Sequence, residues 1–267
     1  MRLNDIIKEI LDDEQLFNPK IASERLEYAQ KLDQLISYLS NKKKVLLLTC
    51  SNRTENIEGV VNESPKSTAL AYKIKELLSE KGIPAELIEV PKLKIYPCEG
   101  NVSRYDGNSC GVMKSAIKNK SKNPTGYHRC WASVNNPDDE LWKISKPLFE
   151  SDAVLFFASV RWGQANMFYQ KLIERLTWIE NRTSSFGEES ITKDIDAGFI
   201  CIGQNWNGMN VVETQKEVLK FYGFKTPSFL SFNWQYTDNY KDETMHSYEE
   251  SRPAFLKVFD IDDTLHY

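Results

Sequence analysis

At 267 residues, with 41% hydrophobic and 27% charged side chains, the chain has the composition of an ordinary globular protein with one substantial core. Its 34 Lys and Arg against 38 Asp and Glu leave a formal charge of −4, which argues against a bulk nucleic-acid binder, though not against a local basic patch. No apolar run approaches the roughly 20 residues of a membrane span. Arg2, Asp5, Lys8 and Glu9 stand where a signal peptide would be apolar, and five scattered cysteines fit reduced thiols in a cytoplasm better than a disulfide framework.

In chain order, Leu3, Ile6, Ile7, Ile10 and Leu11 mark one helical face over residues 3–16. A second helix starts at Asn18-Pro19, with Ile21, Leu26, Ala29, Leu32, Ile36 and Leu39 at three- and four-residue steps. Val45-Leu46-Leu47-Leu48 is an uninterrupted apolar strand. It runs into the polar turn Cys50-Ser51-Asn52-Arg53, and a helix follows with Leu70, Ala71, Ile74, Leu77 and Leu78 on its apolar face. Ser64 is the expected cap of that helix, with Pro65 at its first position. Residues 85–90 read as the second strand, closed by Pro91. The polar stretch 92–136, holding Cys98, Cys110 and Cys130, is too long for an ordinary connection and is expected to be a lid or partner-contact segment. Asp138, Asp139 and Glu140 suit the first turn of a helix running through Leu148. The remaining predicted elements are a strand over 153–158, a helix over 163–180, a strand over 199–202, a helix over 211–222 stopped by Gly223, and a strand over 228–232. From Asn233 the sequence is an aromatic, acidic tail.

Continuous apolar strands separated by helices define a parallel sheet covered on both faces. Five of them predict an α/β, flavodoxin-like doubly wound sheet of order 2-1-3-4-5, with two added N-terminal helices and a long insert after strand 2. The expected organisation is a helical extension over 1–42, the sheet domain over 43–232 with its insert at 92–136, and a tail over 233–267. In such sheets the ligand lies beyond the carboxyl ends of the strands, beside strand 1. That places the site on the loops 50–68, 159–163 and 203–208. A strand ending in hydroxyls and a cation, ahead of a helix N-terminus, suits a phosphate. Ser51, Arg53, Ser67 and Thr68 are the candidate donors, although the same residues also serve an ordinary capped strand–loop–helix.

Ser51-Asn52-Arg53 with Ser67-Thr68 resembles the phosphate loop of the NADPH-dependent FMN reductase family, whose members share the flavodoxin-like fold. Ala158-Ser159-Val160-Arg161-Trp162-Gly163, followed by Lys171 and Arg175, resembles that family's second signature, with Ser159 and Arg161 in place of its usual Pro and Tyr. Gly203-Gln204-Asn205-Trp206-Asn207-Gly208 stands where its glycine-containing flavin loop does. The resemblance implies FMN held at Ser51, Arg53, Ser67 and Thr68 through its phosphate. It implies Ser159, Val160, Arg161, Trp162 and Gly163 along the ring, and Gly203, Gln204 and Asn205 at its pyrimidine edge.

The function implied is a cytoplasmic oxidoreductase that takes a hydride from NAD(P)H onto the flavin and passes electrons to a quinone, free flavin or similar small acceptor. The alternative is an FMN-holding electron carrier or redox-responsive interaction protein. No catalytic side chain is expected, because the cofactor carries the chemistry and no nucleotide-hydrolysis loop or nucleophile elbow is present. Cys98, Cys110 and Cys130, 12 and 20 residues apart, do not form a compact cluster motif even with His128, and no metal is expected. A homodimer or higher oligomer is expected. The N-terminal helices need a surface to cover, and Met167, Phe168, Leu172, Leu176, Trp178 and Ile179 spread over more than one helical face.

Overall fold

The computed structural model describes residues 19–52, 64–101, 109–203, 206–237 and 245–262. The helix predicted over residues 3–16 lies outside them. Helix α1 (Pro19–Leu39) leads into β1 (Val45–Thr49), then α2 (Lys66–Glu80) and β2 (Ala85–Glu89). A single 3-10 turn (Val90–Lys92) closes β2, the insert contributes another (Met113–Ser115) and the short α3 (Trp131–Asn135), and α4 (Trp142–Leu148) follows. After it come β3 (Ala153–Arg161), β4 (Gln164–Ala165), α5 (Met167–Arg175), α6 (Thr177–Ser184), β5 (Asp196–Gly203), α7 (Gly208–Phe221), β6 (Phe232–Gln235) and α8 (Met245–Val258).

The five long strands pair in parallel in the order β2-β1-β3-β5-β6, while β4 is a two-residue antiparallel partner of β3. Setting β4 aside, this is the 2-1-3-4-5 order of the flavodoxin-like fold. Alternate strand residues divide the core between the two faces. Leu46, Leu48, Val154, Phe156, Phe199 and Cys201 join Leu172, Leu176, Val212 and Leu219 on one side. Val45, Leu47, Leu155, Phe157, Ile200 and Ile202 join Leu35, Leu39, Leu70, Ile74, Phe255 and Phe259 on the other. The apolar face of α1 from Ala29 to Leu39 is therefore buried within its own chain.

Several boundaries differ from the sequence reading. Helix α2 begins at Lys66 with Pro65 in the capping position, and no side-chain oxygen caps it, so Ser64 does not serve. Helix α4 starts only at Trp142 because the acidic residues ahead of it are drawn elsewhere. Glu140 exchanges hydrogen bonds with the Lys94 backbone at 2.8 Å each way, and Asp139 turns into the core. The single helix predicted over 163–180 is two, α5 and α6. At the break, the Thr177 hydroxyl donates to the Glu174 carbonyl at 2.7 Å, a local bond that competes with the helical ladder. The last parallel strand falls at Phe232–Gln235; Ser228–Leu230 is a 3-10 turn whose Leu230 carbonyl would meet a Cβ on Gly198 at 2.2 Å. The segment read as a tail contributes β6 and α8, which places Phe255 and Phe259 in the core.

One side of the described insert packs into the core, while much of the rest, including Met113, residues 118–121 and residues 124–127, is exposed. Cys110, Cys130 and Ala132 are buried, and the His128 ring stacks on Trp178 at 5.1 Å. Asn181 donates to the Ser109 hydroxyl and the Cys110 carbonyl, both at 2.6 Å. The insert thus covers the second apolar face, carrying Trp178, that the sequence left open.

Candidate functional site

In a parallel sheet, a helix following a strand runs back against it, so the N-termini of α2, α5 and α7 all lie at the carboxyl ends of the strands. At β1 the chain leaves the sheet through Cys50, whose N–H donates to the Phe157 carbonyl at 2.8 Å, and then through buried Ser51. Ser67 and Thr68 are buried in the first turn of α2. There the helical N–H groups have no intrahelical acceptor and the dipole is positive. Arg53 lies outside the described residues. Two other cations stand near this helix start: Lys66, whose Nζ donates to Ser251 at 2.9 Å, and Arg252, whose Nη1 donates to the Ser64 carbonyl at 2.8 Å. Arg252 lies far along the chain on α8, so no local pattern could reveal it.

The second predicted loop is a strand and a hairpin. Ser159, Val160 and Arg161 stay in β3, with Ser159 opposite Ile202 of β5, and Val160 and Arg161 opposite Ala165 and Gln164 of β4. Trp162 and Gly163 form the two-residue turn, both with positive φ (51° and 70°), as tight hairpins demand. Such a turn favours Asn or Gly, whereas a bulky residue with positive φ costs on the order of 1–2 kcal/mol. Trp162 is nonetheless 95% exposed, so core packing does not hold it there. Strain of this kind accompanies functional positions.

Asn166, missed in the sequence reading, ties this hairpin to β1. It occupies the capping position of α5 without capping it. Its amide donates instead to the Cys50 carbonyl and, at 2.5 Å, to Asn52 Oδ1, while its own Oδ1 accepts the Ser159 N–H at 3.2 Å. The Ser159 hydroxyl, held beside this junction, is buried and has no hydrogen-bond partner among the described residues. Such an orphan costs about 1–3 kcal/mol unless something outside the chain satisfies it.

Gly203 ends β5, buried; Gln204 and Asn205 lie outside the described residues. The loop after them reaches the hairpin through Asn207, which adopts φ 73° and donates to the Gly163 carbonyl at 2.7 Å. A Cβ on Gly163 would stand 2.8 Å from the Trp206 ring, so only glycine admits this approach. Trp162, Met167, Trp206 and Met209 are all exposed, forming an apolar rim along these loops.

The structure thus joins Ser159–Gly163 to Asn52 and to Trp206–Asn207, and sets Ser67 and Thr68 at the neighbouring helix start. A separate groove of about 590 Å³, lined by Tyr72, Ile88, Leu93, Trp142 and Lys146 among others, runs beside edge strand β2 and shares no residue with this site. Among the described residues no three His, Cys, Asp or Glu side chains converge as a metal-ligand set.

No protein-family model matches the chain, and neither does any curated protein. Many solved structures do. The crystal structure of RosB with bound 8-demethyl-8-formylriboflavin-5'-phosphate is similar over 81% of this chain and 74% of that one, at 13% identity and a TM-score of 0.51. The NAD(P)H:quinone oxidoreductase from Methanothermobacter marburgensis aligns over 82% of this chain and 96% of its own, at 12% identity and a TM-score of 0.45. The azoreductase from Bacillus anthracis str. Sterne aligns over 82% and 97%, at 11% identity and a TM-score of 0.46. At such identities the RosB likeness is one of fold, the doubly wound sheet seen in the strand order.

Proposed function

We propose that the chain binds FMN beyond the carboxyl ends of β1, β3 and β5 and works as an NAD(P)H-dependent flavin oxidoreductase that passes electrons to a small acceptor such as a quinone or free flavin. The observation that carries this reading is the orphaned Ser159 hydroxyl beside a strained, exposed Trp162, at the strand ends where doubly wound folds bind ligands. It is supported by the RosB structure, of similar fold, which holds a riboflavin-5'-phosphate derivative.

The chain's residues fit such a group. Ser51, Ser67, Thr68 and the α2 N-terminus, with Arg53, Lys66 and Arg252 as cations, would hold the phosphate. Ser159, Val160, Arg161, Trp162 and Gly163 would lie along the ring system, and Gly203, Gln204 and Asn205 would face its pyrimidine edge. Bound FMN supplies hydride acceptance and onward electron transfer. The chain supplies orientation: Asn166 fixes the hairpin against β1, and Asn207 fixes it against the loop after β5. A cytoplasmic location fits the free state of all five cysteines, and none of the described helices is long and apolar enough to cross a membrane. Within this reading the protein is a homodimer or higher oligomer, with the exposed rim as the surface a second copy would cover.

Calorimetric titration tests the cofactor. FMN should bind far more tightly than riboflavin, and equal affinities would remove the phosphate site. Steady NAD(P)H oxidation by the FMN-loaded protein with a quinone supports the enzyme. FMN binding without turnover would instead make it an electron carrier.

A further inference from the structure

The insert brings together two thiols that the strand-end site does not use. Gly111 and Arg129 pair through a backbone hydrogen bond of 3.0 Å, which brings the residues flanking that bond, the buried free thiols Cys110 and Cys130, side by side. The Arg175 guanidinium lies beside them, with Nη2 3.5 Å from Cys130 Sγ. The two differ from the chain's other buried cysteines. For Cys50 and Cys201 burial alone pushes the thiols up, that of Cys201 to about 12. Cys130 moves the other way: neighbouring Cys110, then His128 and the Arg175 charge, outweigh burial and hold it below the usual thiol range. Cys110, beside Cys130 and buried, is raised. The guanidinium contact thus falls on Cys130, where a neighbouring cation favours the thiolate that an attacking sulfur requires.

The surrounding network fixes this arrangement. Arg175 has its other bonds on Asp139, Ser133 and the Tyr96 carbonyl, so its position does not depend on Cys130. Ser133 gives its hydroxyl proton to Asp139 at 2.7 Å. It therefore accepts from His128 Nε2 at 3.0 Å, and Nδ1 is left facing Ser145 at 2.6 Å. Cys98 is half-buried, and its sulfur takes the Gly100 N–H at 3.4 Å.

We propose that Cys110 and Cys130 are a reversible dithiol–disulfide couple, with Cys130 the attacking thiolate and Cys110 the thiol that closes the bond. With a hydroperoxide as oxidant, the Cys130 sulfur attacks the distal peroxide oxygen. The O–O bond breaks, the leaving oxygen takes a proton and departs as water or alcohol, and Cys130 becomes a sulfenic acid. Cys110 then attacks that sulfur, the S–O bond breaks, and the hydroxyl leaves as water with the Cys110 proton. Two thiols are oxidised and one hydroperoxide is reduced. A small dithiol reverses the bond by exchange, becoming a disulfide itself.

The test uses the reduced full-length protein, a few equivalents of hydrogen peroxide, and peptide mapping by mass spectrometry without reductant. The expected product is a linked Cys110–Cys130 peptide pair, lost on treatment with dithiothreitol and retained in Cys98→Ser. In Cys110→Ser, dimedone should label Cys130 several-fold more than Cys50 or Cys201. Three results would overturn the couple: both thiols recovered free while Cys98 is oxidised, a dominant link through Cys98, or a Cys110–Cys130 link that forms only in urea. The wild-type map decides the matter alone if Cys110→Ser does not fold.

Discussion

Arg175 grips Asp139 with both arms of its guanidinium, Nη1 to Oδ1 at 2.8 Å and Nη2 to Oδ2 at 3.0 Å, and neither side chain is exposed to solvent. The same guanidinium holds the Tyr96 carbonyl and Ser133, so this pair fastens both ends of the insert to α5. Breaking one side of a buried pair leaves an uncompensated charge, so Asp139→Asn should cost about 3–5 kcal/mol of stability by urea unfolding. Burial alone would raise the Asp139 carboxyl, but the Arg175 hydrogen bonds and charge outweigh it and the net shift is downward. The stability it contributes is therefore complete above the ordinary aspartate value of 3.8 and is lost as pH falls below it. Wild type should lose stability more steeply than Asp139→Asn across that acid range, and parallel pH profiles would contradict the linkage.

Trp162 is a position where stability and binding should part. Replacing it with Gly removes the penalty of a positive φ, so Trp162→Gly should unfold at the same temperature or gain up to about 1 kcal/mol. Its affinity for FMN should fall at the same time. A clear loss of thermal stability would show instead that the exposed ring packs against the fold.

Gly163→Ala should damage the site more than the fold. Its Cβ would enter the Trp206 ring at 2.8 Å, at a φ that alanine adopts with strain. The expected outcome is a stability loss of about 1–2 kcal/mol with a larger proportional loss of FMN binding, read by calorimetry on the folded variant.

Arg53 and Arg252 compete for the role of phosphate partner. Each Arg→Ala variant that removes a charged hydrogen bond to the phosphate should weaken FMN by about 1.5–3 kcal/mol and leave riboflavin binding unchanged. The comparison assigns the role: an Arg whose loss weakens both ligands equally is not acting on the phosphate.

Gly198→Ala tests the fold away from the site. The new methyl would overlap the Leu230 carbonyl at 2.2 Å and the Leu155 side chain at 2.7 Å, and backbone must move to admit it. A destabilisation of about 1–3 kcal/mol is expected by thermal or denaturant unfolding, the usual range for overpacking. An unchanged midpoint would mean that the turn at Ser228–Leu230 yields easily.

The parallel sheet was legible in the sequence because its strands are buried on both faces. Val45–Leu48, 153–158 and 199–202 are apolar at every position, as strands buried on both faces require, and their shortness between helical patterns favours strands over buried helices. From strand count and alternation the order 2-1-3-4-5 followed, and with it the end of the sheet where a ligand belongs. The hydroxyls of Ser67 and Thr68 and the turn at Trp162-Gly163 were visible as local chemistry. What only the tertiary structure decided are contacts made across long sequence separations. Asp139 carries the same local signal whether it faces a helix dipole or a buried Arg175, and only packing chooses between them. Asn166 is only a polar residue within the helix expected over 163–180 until its amide is seen to reach Cys50 and Asn52. Cys110 and Cys130, unremarkable at their spacing, meet because Gly111 and Arg129 pair between them. Periodicity reports which face of an element is buried, and it is silent on which distant polar group awaits there, since that free energy arises only when the chain has closed.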